Sequence, residues 1–207
     1  MKLIVFGATG SVGRHIVSQA LEKGHDVTAF ARHPEKLALS HPRLHRQAGN
    51  VLDPEAVSAA VADHDAVLIA LGAGRRGGVR AQGTRNILAA MVRHGVRRLV
   101  CQTTLGTGDS RPLLNFFWKR IMFGLLLRPA YLDHEEQEAA IRASDRDWTI
   151  VRPSAFTDDV AGGPYRHGFG AGETGLNLTI PRGDVAGFML KQLGDDTYLR
   201  ASPALSY

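Results

Sequence analysis

The chain has 207 residues, 44% of them hydrophobic, and a formal net charge of +5. That size suits one domain, 1–207, with a full core, and no apolar run reaches the roughly 20 residues a bilayer requires. The basic residues are scattered rather than interleaved with aromatics, which argues against nucleic acid and favours a small anionic ligand, and the single cysteine, Cys101, excludes an internal disulfide framework.

Leu3 to Phe6 is a short apolar run suited to a parallel strand buried on both faces. Because this strand starts beside Met1, no leader peptide is expected and the protein reads as cytoplasmic. Gly7, Gly10 and Gly13 follow, spaced Gly-x-x-Gly-x-x-Gly. From Ser11 to Lys23 the apolar residues Val12, Ile16, Val17, Ala20 and Leu21 share one helical face, and Gly24 stops the helix. A glycine loop joining a buried strand to a helix N-terminus suits a pyrophosphate: the backbone can approach closely, and both N–H groups and helix dipole favour an anion.

His25 to Phe30 is a second strand, followed by Ala31 and Arg32. Arg32 lies nineteen residues after Gly13, where an NAD-binding chain carries an acid for the ribose; an arginine favours the 2′-phosphate of NADP. Arg14 could assist. A short helix is expected from Pro34 and a weak strand over Leu44 to Gln47. Pro54 then starts a helix through Val61, with Asp53 either its cap or a cofactor contact. His41 and His45 lack the further ligands of a zinc signature, so no metal is expected.

Asp65 to Leu71 is a fourth strand, ending in Gly72-Ala73-Gly74. Arg75 and Arg76 sit in a glycine-rich segment that reads as mobile, facing substrate, cofactor phosphate or water. A helix spans 79–94, and Leu99 to Thr103 is a fifth strand whose Thr103 and Thr104 fall at its ligand-binding carboxyl edge. Leu113 to Leu127 is strongly apolar and aromatic; a lid over the site, a partner-binding helix and a core helix all fit. A helix over Tyr131 to Ser144 starts with Asp133, Glu135 and Glu136, where negative charge is favoured. Trp148 to Val151 is a sixth strand ended by Arg152-Pro153. Gly162 to Gly175 reads as a loop, Leu178 to Ile180 as a short strand, Gly183 to Leu193 as the last helix, and the tail from Thr197 as an edge strand. The alternation predicts a doubly wound parallel sheet in three layers, α/β/α.

The loop Gly7-Ala-Thr-Gly-Ser-Val-Gly13, Arg32, the segment Ser144-Asp-Arg-Asp-Trp-Thr-Ile-Val-Arg-Pro153 and the segment Arg182-Gly-Asp-Val-Ala186 together resemble the atypical short-chain dehydrogenases/reductases, Rossmann-like single-domain proteins. Within them the chain is most similar to the NAD(P)H-binding group of biliverdin-IX-beta/flavin reductases and NmrA-like proteins, over nearly its whole length. The resemblance implies NADP(H) contacts at Gly7, Thr9, Gly10, Ser11, Val12 and Arg32, and further ones at Val51, Leu71, Gly72, Ala73, Thr103 and Pro153. It implies a substrate-side histidine at His134, with Thr103 and Tyr131 as the other candidate catalytic groups. Typical short-chain dehydrogenases carry Tyr-x-x-x-Lys. Here Tyr131 is followed by Glu135 in the lysine position, and a carboxylate raises a neighbouring phenol's pKa instead of lowering it.

The expectation is therefore an NADPH-dependent oxidoreductase passing hydride to a small conjugated acceptor such as a flavin or quinone, which needs no strong protein acid. The alternative is a non-catalytic NADP(H)-sensing, partner-binding protein of the NmrA-like kind. A monomer or homodimer is expected.

Overall fold

The computed structural model describes residues 1–75, 77–170 and 172–207. An eight-stranded sheet has the order β3-β2-β1-β4-β5-β6-β10-β8. Its strands are β1 (Lys2–Phe6), β2 (Asp26–Ala31), β3 (Leu44–Ala48), β4 (Ala66–Ile69), β5 (Arg98–Gln102), β6 (Asp147–Pro153), β8 (Arg166–His167) and β10 (Ala204–Ser206). The pairings are parallel except β10 with β8. Two further strands, β7 (Ala155–Thr157) and β9 (Thr179–Pro181), form a small parallel sheet of their own.

Strand β1 explains the three layers. Leu3, Ile4, Val5 and Phe6 are all fully buried, yet alternate residues point to opposite faces. Leu3 and Val5 join the core beneath α1 (Gly13–Glu22) and α5 (Arg182–Lys191). Ile4 and Phe6 join the core beneath α2 (Pro54–Val61), α3 (Arg80–Arg93) and α4 (Arg128–Arg142). A run apolar at every position is what a strand covered on both sides requires.

Several elements differ from the sequence expectation. Strand β4 ends at Ile69, leaving Leu71 to Ala73 outside the ladder. Strand β6 continues through Arg152 and Pro153 because β10 pairs beside them. The tail therefore supplies an interior strand, and the edge belongs to β8, inside the segment read as a loop. Helix α4 begins at Arg128, with Pro129 in its first turn, where a proline costs no hydrogen bond. Over Phe117–Leu126 the apolar stretch is π-helical, and Leu127 N–H donates to Met122 O, five residues back, at 2.7 Å. It is no core helix. Trp118 and Phe123 pack inward on Leu105 and Leu114, while Phe116, Phe117 and Leu125 are exposed.

A buried ion pair joins α4 to the sheet. The Arg152 guanidinium donates from Nε to Glu138 Oε1 at 3.0 Å and from Nη2 to Glu138 Oε2 at 2.8 Å, with both side chains 1% exposed. Thr103 and Thr107 hydroxyls donate to Glu138 Oε1 at 2.7 and 2.6 Å, and Arg142 Nη2 to Oε2 at 2.8 Å. Asp109 holds the outer side of Arg152.

Burial alone would raise the Glu138 carboxyl; the bonds and charge of Arg152, with the two hydroxyls, outweigh it and hold the pKa below the usual range. The stability this contributes is present above about pH 4.5 and is lost as pH falls through the depressed folded value. Glu138→Gln strands a buried guanidinium, so urea denaturation at pH 7 should show a loss of about 3–5 kcal/mol. An unchanged midpoint would mean the pair does not hold α4 to the sheet.

Candidate functional site: a cleft at the switch point of the sheet

From β1 the sheet grows in two directions, through β2 on one side and β4 on the other. Ligands of open α/β sheets bind at such a reversal, beyond the carboxyl ends of the strands. Here those ends open into a cleft of about 840 Å³. Phe30, Arg32, Gly49, Val51 and Leu71 line it beside the loop Gly7, Thr9, Gly10, Ser11 and Val12, and Gly72, Ala73, Arg80, Thr103 and His134 line it too, the last three termed its far end.

The loop has the shape a dinucleotide needs. Gly7 has φ +82°, and a Cβ there would overlap the Ala70 carbonyl; at Gly13 it would overlap the Gly7 carbonyl. The turn itself thus demands these two glycines. Gly10 faces the cleft, and a Cβ there would stand 3.0 Å from Gly7 O, closer than an ordinary contact but short of overlap. No side chain caps α1 and no acid sits in its first turn, which leaves the positive end of the helix to a ligand. Arg32 is exposed and, among the described residues, makes no ion pair. Asp53 faces elsewhere: its Oδ1 accepts from Glu55 N and Ala56 N at 3.0 and 3.3 Å, so it caps α2.

At the far end the candidate catalytic residues part company. Thr103 lines the cleft, but its single hydroxyl proton goes to Glu138, leaving lone pairs for a ligand. His134 lines the cleft and is 8% exposed. Gln137 donates from Nε2 to Thr84 Oγ1 at 2.9 Å, which turns its Oε1 toward His134 Nδ1 at 3.2 Å. The ring proton therefore sits on Nδ1 and Nε2 is a bare acceptor. Burial, reinforced by the charge of Arg80, pushes the His134 pKa down to about 4.

Tyr131 lies outside the cleft. Its hydroxyl donates to Gly106 O at 3.2 Å, and burial together with Glu135 pushes the phenol up to about 12. Its place one turn into α4 packs the ring on Phe123, 5.2 Å between centroids, instead of against a cofactor. Pro153 also falls outside, lining a neighbouring cavity of about 290 Å³ that shares Thr104 and Phe156 with the cleft and is walled by Leu105, Leu114, Trp118 and Phe123. Arg75 is exposed and not on the cleft wall; Arg76 lies outside the described residues.

The sequence reading overlooked Arg80. It starts α3 and lines the cleft, although a cation at a helix N-terminus opposes the dipole. That mismatch was its one sequence signal. Asp133 of α4 compensates by accepting the backbone N–H groups of Arg80 and Ala81 at 3.0 and 2.9 Å, capping α3 from outside.

Gly10→Ala should weaken NADPH binding at least about tenfold by calorimetry, because the methyl crowds Gly7 O in the loop that would seat the pyrophosphate. Undiminished binding would move the cofactor away from this loop.

A family model described as NAD(P)H-binding matches residues 7–196. The chain is 34% identical over 113 residues, 48% of its length, to the 3-beta-hydroxysteroid dehydrogenase of Mycolicibacterium neoaurum, and spans about a third of that relative's length, 31%. Its fold is similar to that of a short-chain dehydrogenase/reductase from Veillonella parvula in complex with NADP: TM-score 0.82, 18% identity, 100% of this chain and 94% of that one. It is similar also to ChuY, an anaerobilin reductase from Escherichia coli, with TM-score 0.79, 22% identity, and 99% and 96% of the two chains covered. Glycine loop, switch-point cleft and family match agree, and the chain belongs to the NAD(P)H-binding family of Rossmann-like proteins.

Proposed function

We propose that the protein is an NADPH-dependent reductase of a flat conjugated acceptor of the flavin or quinone class. One observation carries this reading: among the described residues, Thr103, Tyr131 and His134 offer the substrate end of the cleft no acid. The Thr103 proton is committed to Glu138, the Tyr131 phenol faces Gly106, and neutral His134 keeps its proton on the Nδ1 side. A ketone or aldehyde needs a proton as hydride arrives, whereas a conjugated acceptor spreads the charge and takes its proton from water afterwards. NADPH, when bound, supplies the hydride. The chain's own residues do the rest. The glycine loop seats the pyrophosphate, Arg32 grips the 2′-phosphate, and His134 Nε2 stands at the cleft as an acceptor for a donor such as a flavin ring N–H. The fold is shared with a protein named as an anaerobilin reductase.

A partner-binding sensor of the NmrA-like kind is the second reading, favoured by the apolar residues exposed along the π-helix, Phe116 at 73% and Leu125 at 71%. NADPH oxidation assayed across flavins, quinones and aldehydes separates the two. Turnover with the first two classes is expected, and none with any acceptor would favour the sensor.

Arg32 governs cofactor choice in this reading. NADPH should bind at least about tenfold more tightly than NADH, less so at high salt. Arg32→Ala should erase most of that difference by weakening NADPH alone. Equal affinities in the unmutated protein would overturn the assignment.

His134 acts as a neutral acceptor, so kcat/KM for the acceptor should stay level between about pH 6 and 8, with loss only as the ring protonates toward pH 4. An inflection near 6.5 that His134→Gln removes would restore the histidine as an acid.

A further inference from the structure

Arg80 is the one buried cation on the cleft wall among the described residues. It is 7% exposed; its Nε and Nη1 are shut off from solvent without a hydrogen-bond partner, and Nη2, the guanidinium nitrogen that is not shut off, also makes no hydrogen bond among the described residues. Asp133 Oδ2 lies 3.5 Å from Nη1, outside good hydrogen-bond distance, and both Asp133 oxygens already accept backbone N–H groups. Buried donors left this way carry a desolvation cost, and in native proteins such groups are scarce enough to need an explanation. Burial lowers the Arg80 pKa further than its ion pair with Asp133 raises it. Around it, His134 and Thr103 present acceptors only.

We propose that Arg80 holds the anion created on the acceptor by hydride transfer, and so replaces the missing acid with a fixed positive charge. The inference rests on the reductase reading of the cleft. In the step, hydride and its electron pair pass from the dihydronicotinamide to the acceptor. The dihydronicotinamide is oxidised, a bond to hydrogen forms at the acceptor, and a π pair shifts onto an acceptor oxygen, which becomes negative. That oxygen lies against the Arg80 guanidinium until water protonates it. Electron count and charge balance without any further reactant. A donor placed beforehand where charge develops is worth most in a water-poor site. It suits acceptors whose added charge gathers on a carbonyl oxygen, as in quinones and the pyrimidine edge of flavins.

The test uses 4-nitrophenol, a flat phenol whose ionisation is read by absorbance, with the protein saturated in NADP+. Its apparent pKa should fall by about one to two units on binding to the unmutated protein. The value should return to that of free nitrophenol in Arg80→Gln and fall again in Arg80→Lys. NADPH affinity, measured by calorimetry, should be unchanged in both variants. In turnover, Arg80→Gln should lower kcat about 10²-fold or more, most for quinones whose reduced anions are most basic, with KM for NADPH unaltered. The inference is overturned if the unmutated protein binds phenol and phenolate equally, a result that needs no variant to fold. It is overturned too if Arg80→Gln keeps the shift, or loses rate uniformly across the quinone series. Should no acceptor turn over while Arg80 still shifts nitrophenol, the reductase reading fails and the anion site stands.

Discussion

The Glu138–Arg152 pair is the constraint on which the substrate side of the molecule depends. It joins α4 to β6, and through Thr103 and Thr107 it also joins the loop leaving β5. A buried pair of this kind adds little net stability over an apolar contact of the same shape, but losing either member is costly. What it secures is position. With the bidentate geometry in place, α4 cannot slide along the sheet, and His134 and Asp133, one turn before Glu138, are set at the cleft and at the head of α3.

The same pair shapes the chemistry. By accepting the Thr103 proton in a hydrogen bond, Glu138 leaves that hydroxyl only lone pairs to offer the cleft. Gln137, the neighbour of Glu138, does the equivalent to His134 by fixing its proton on Nδ1. One turn of α4 thus removes two acids from the cleft while presenting Asp133 to Arg80. Poverty in protons and possession of a buried cation have a common origin in that turn.

Much of this was legible in the sequence, for local reasons. The four apolar residues of β1, the glycines after it and Arg32 act within one strand–loop–helix unit and its neighbour, so composition and spacing suffice. Val51, Leu71, Gly72 and Ala73, implied by the family resemblance, line the cleft because the parallel order brings the strand ends to one side. What escaped is settled by tertiary contact. Tyr131 turns to Gly106 and Pro153 to the neighbouring cavity because β10 extends β6 and the π-helix packs Phe123 on the phenol ring. Arg80 offered only the mismatch of a cation at a helix start, since the burial and the Asp133 contact that single it out come from 53 residues away.

Strand β10 also has a bearing on how the molecule is made. β6 is synthesised well before the strand that covers its outer side, so Arg152 N and Ser154 N wait for the carbonyls of Pro203 and Leu205. β8 waits as well, for it pairs with β10. During vectorial synthesis the inner strands can assemble first, while one flank stays an open edge of unpaired amides. That flank carries Arg152. Its side chain already has Glu138 and Asp109, both made earlier, so what the last strand seals is the backbone beside the charged keystone and not the charge itself.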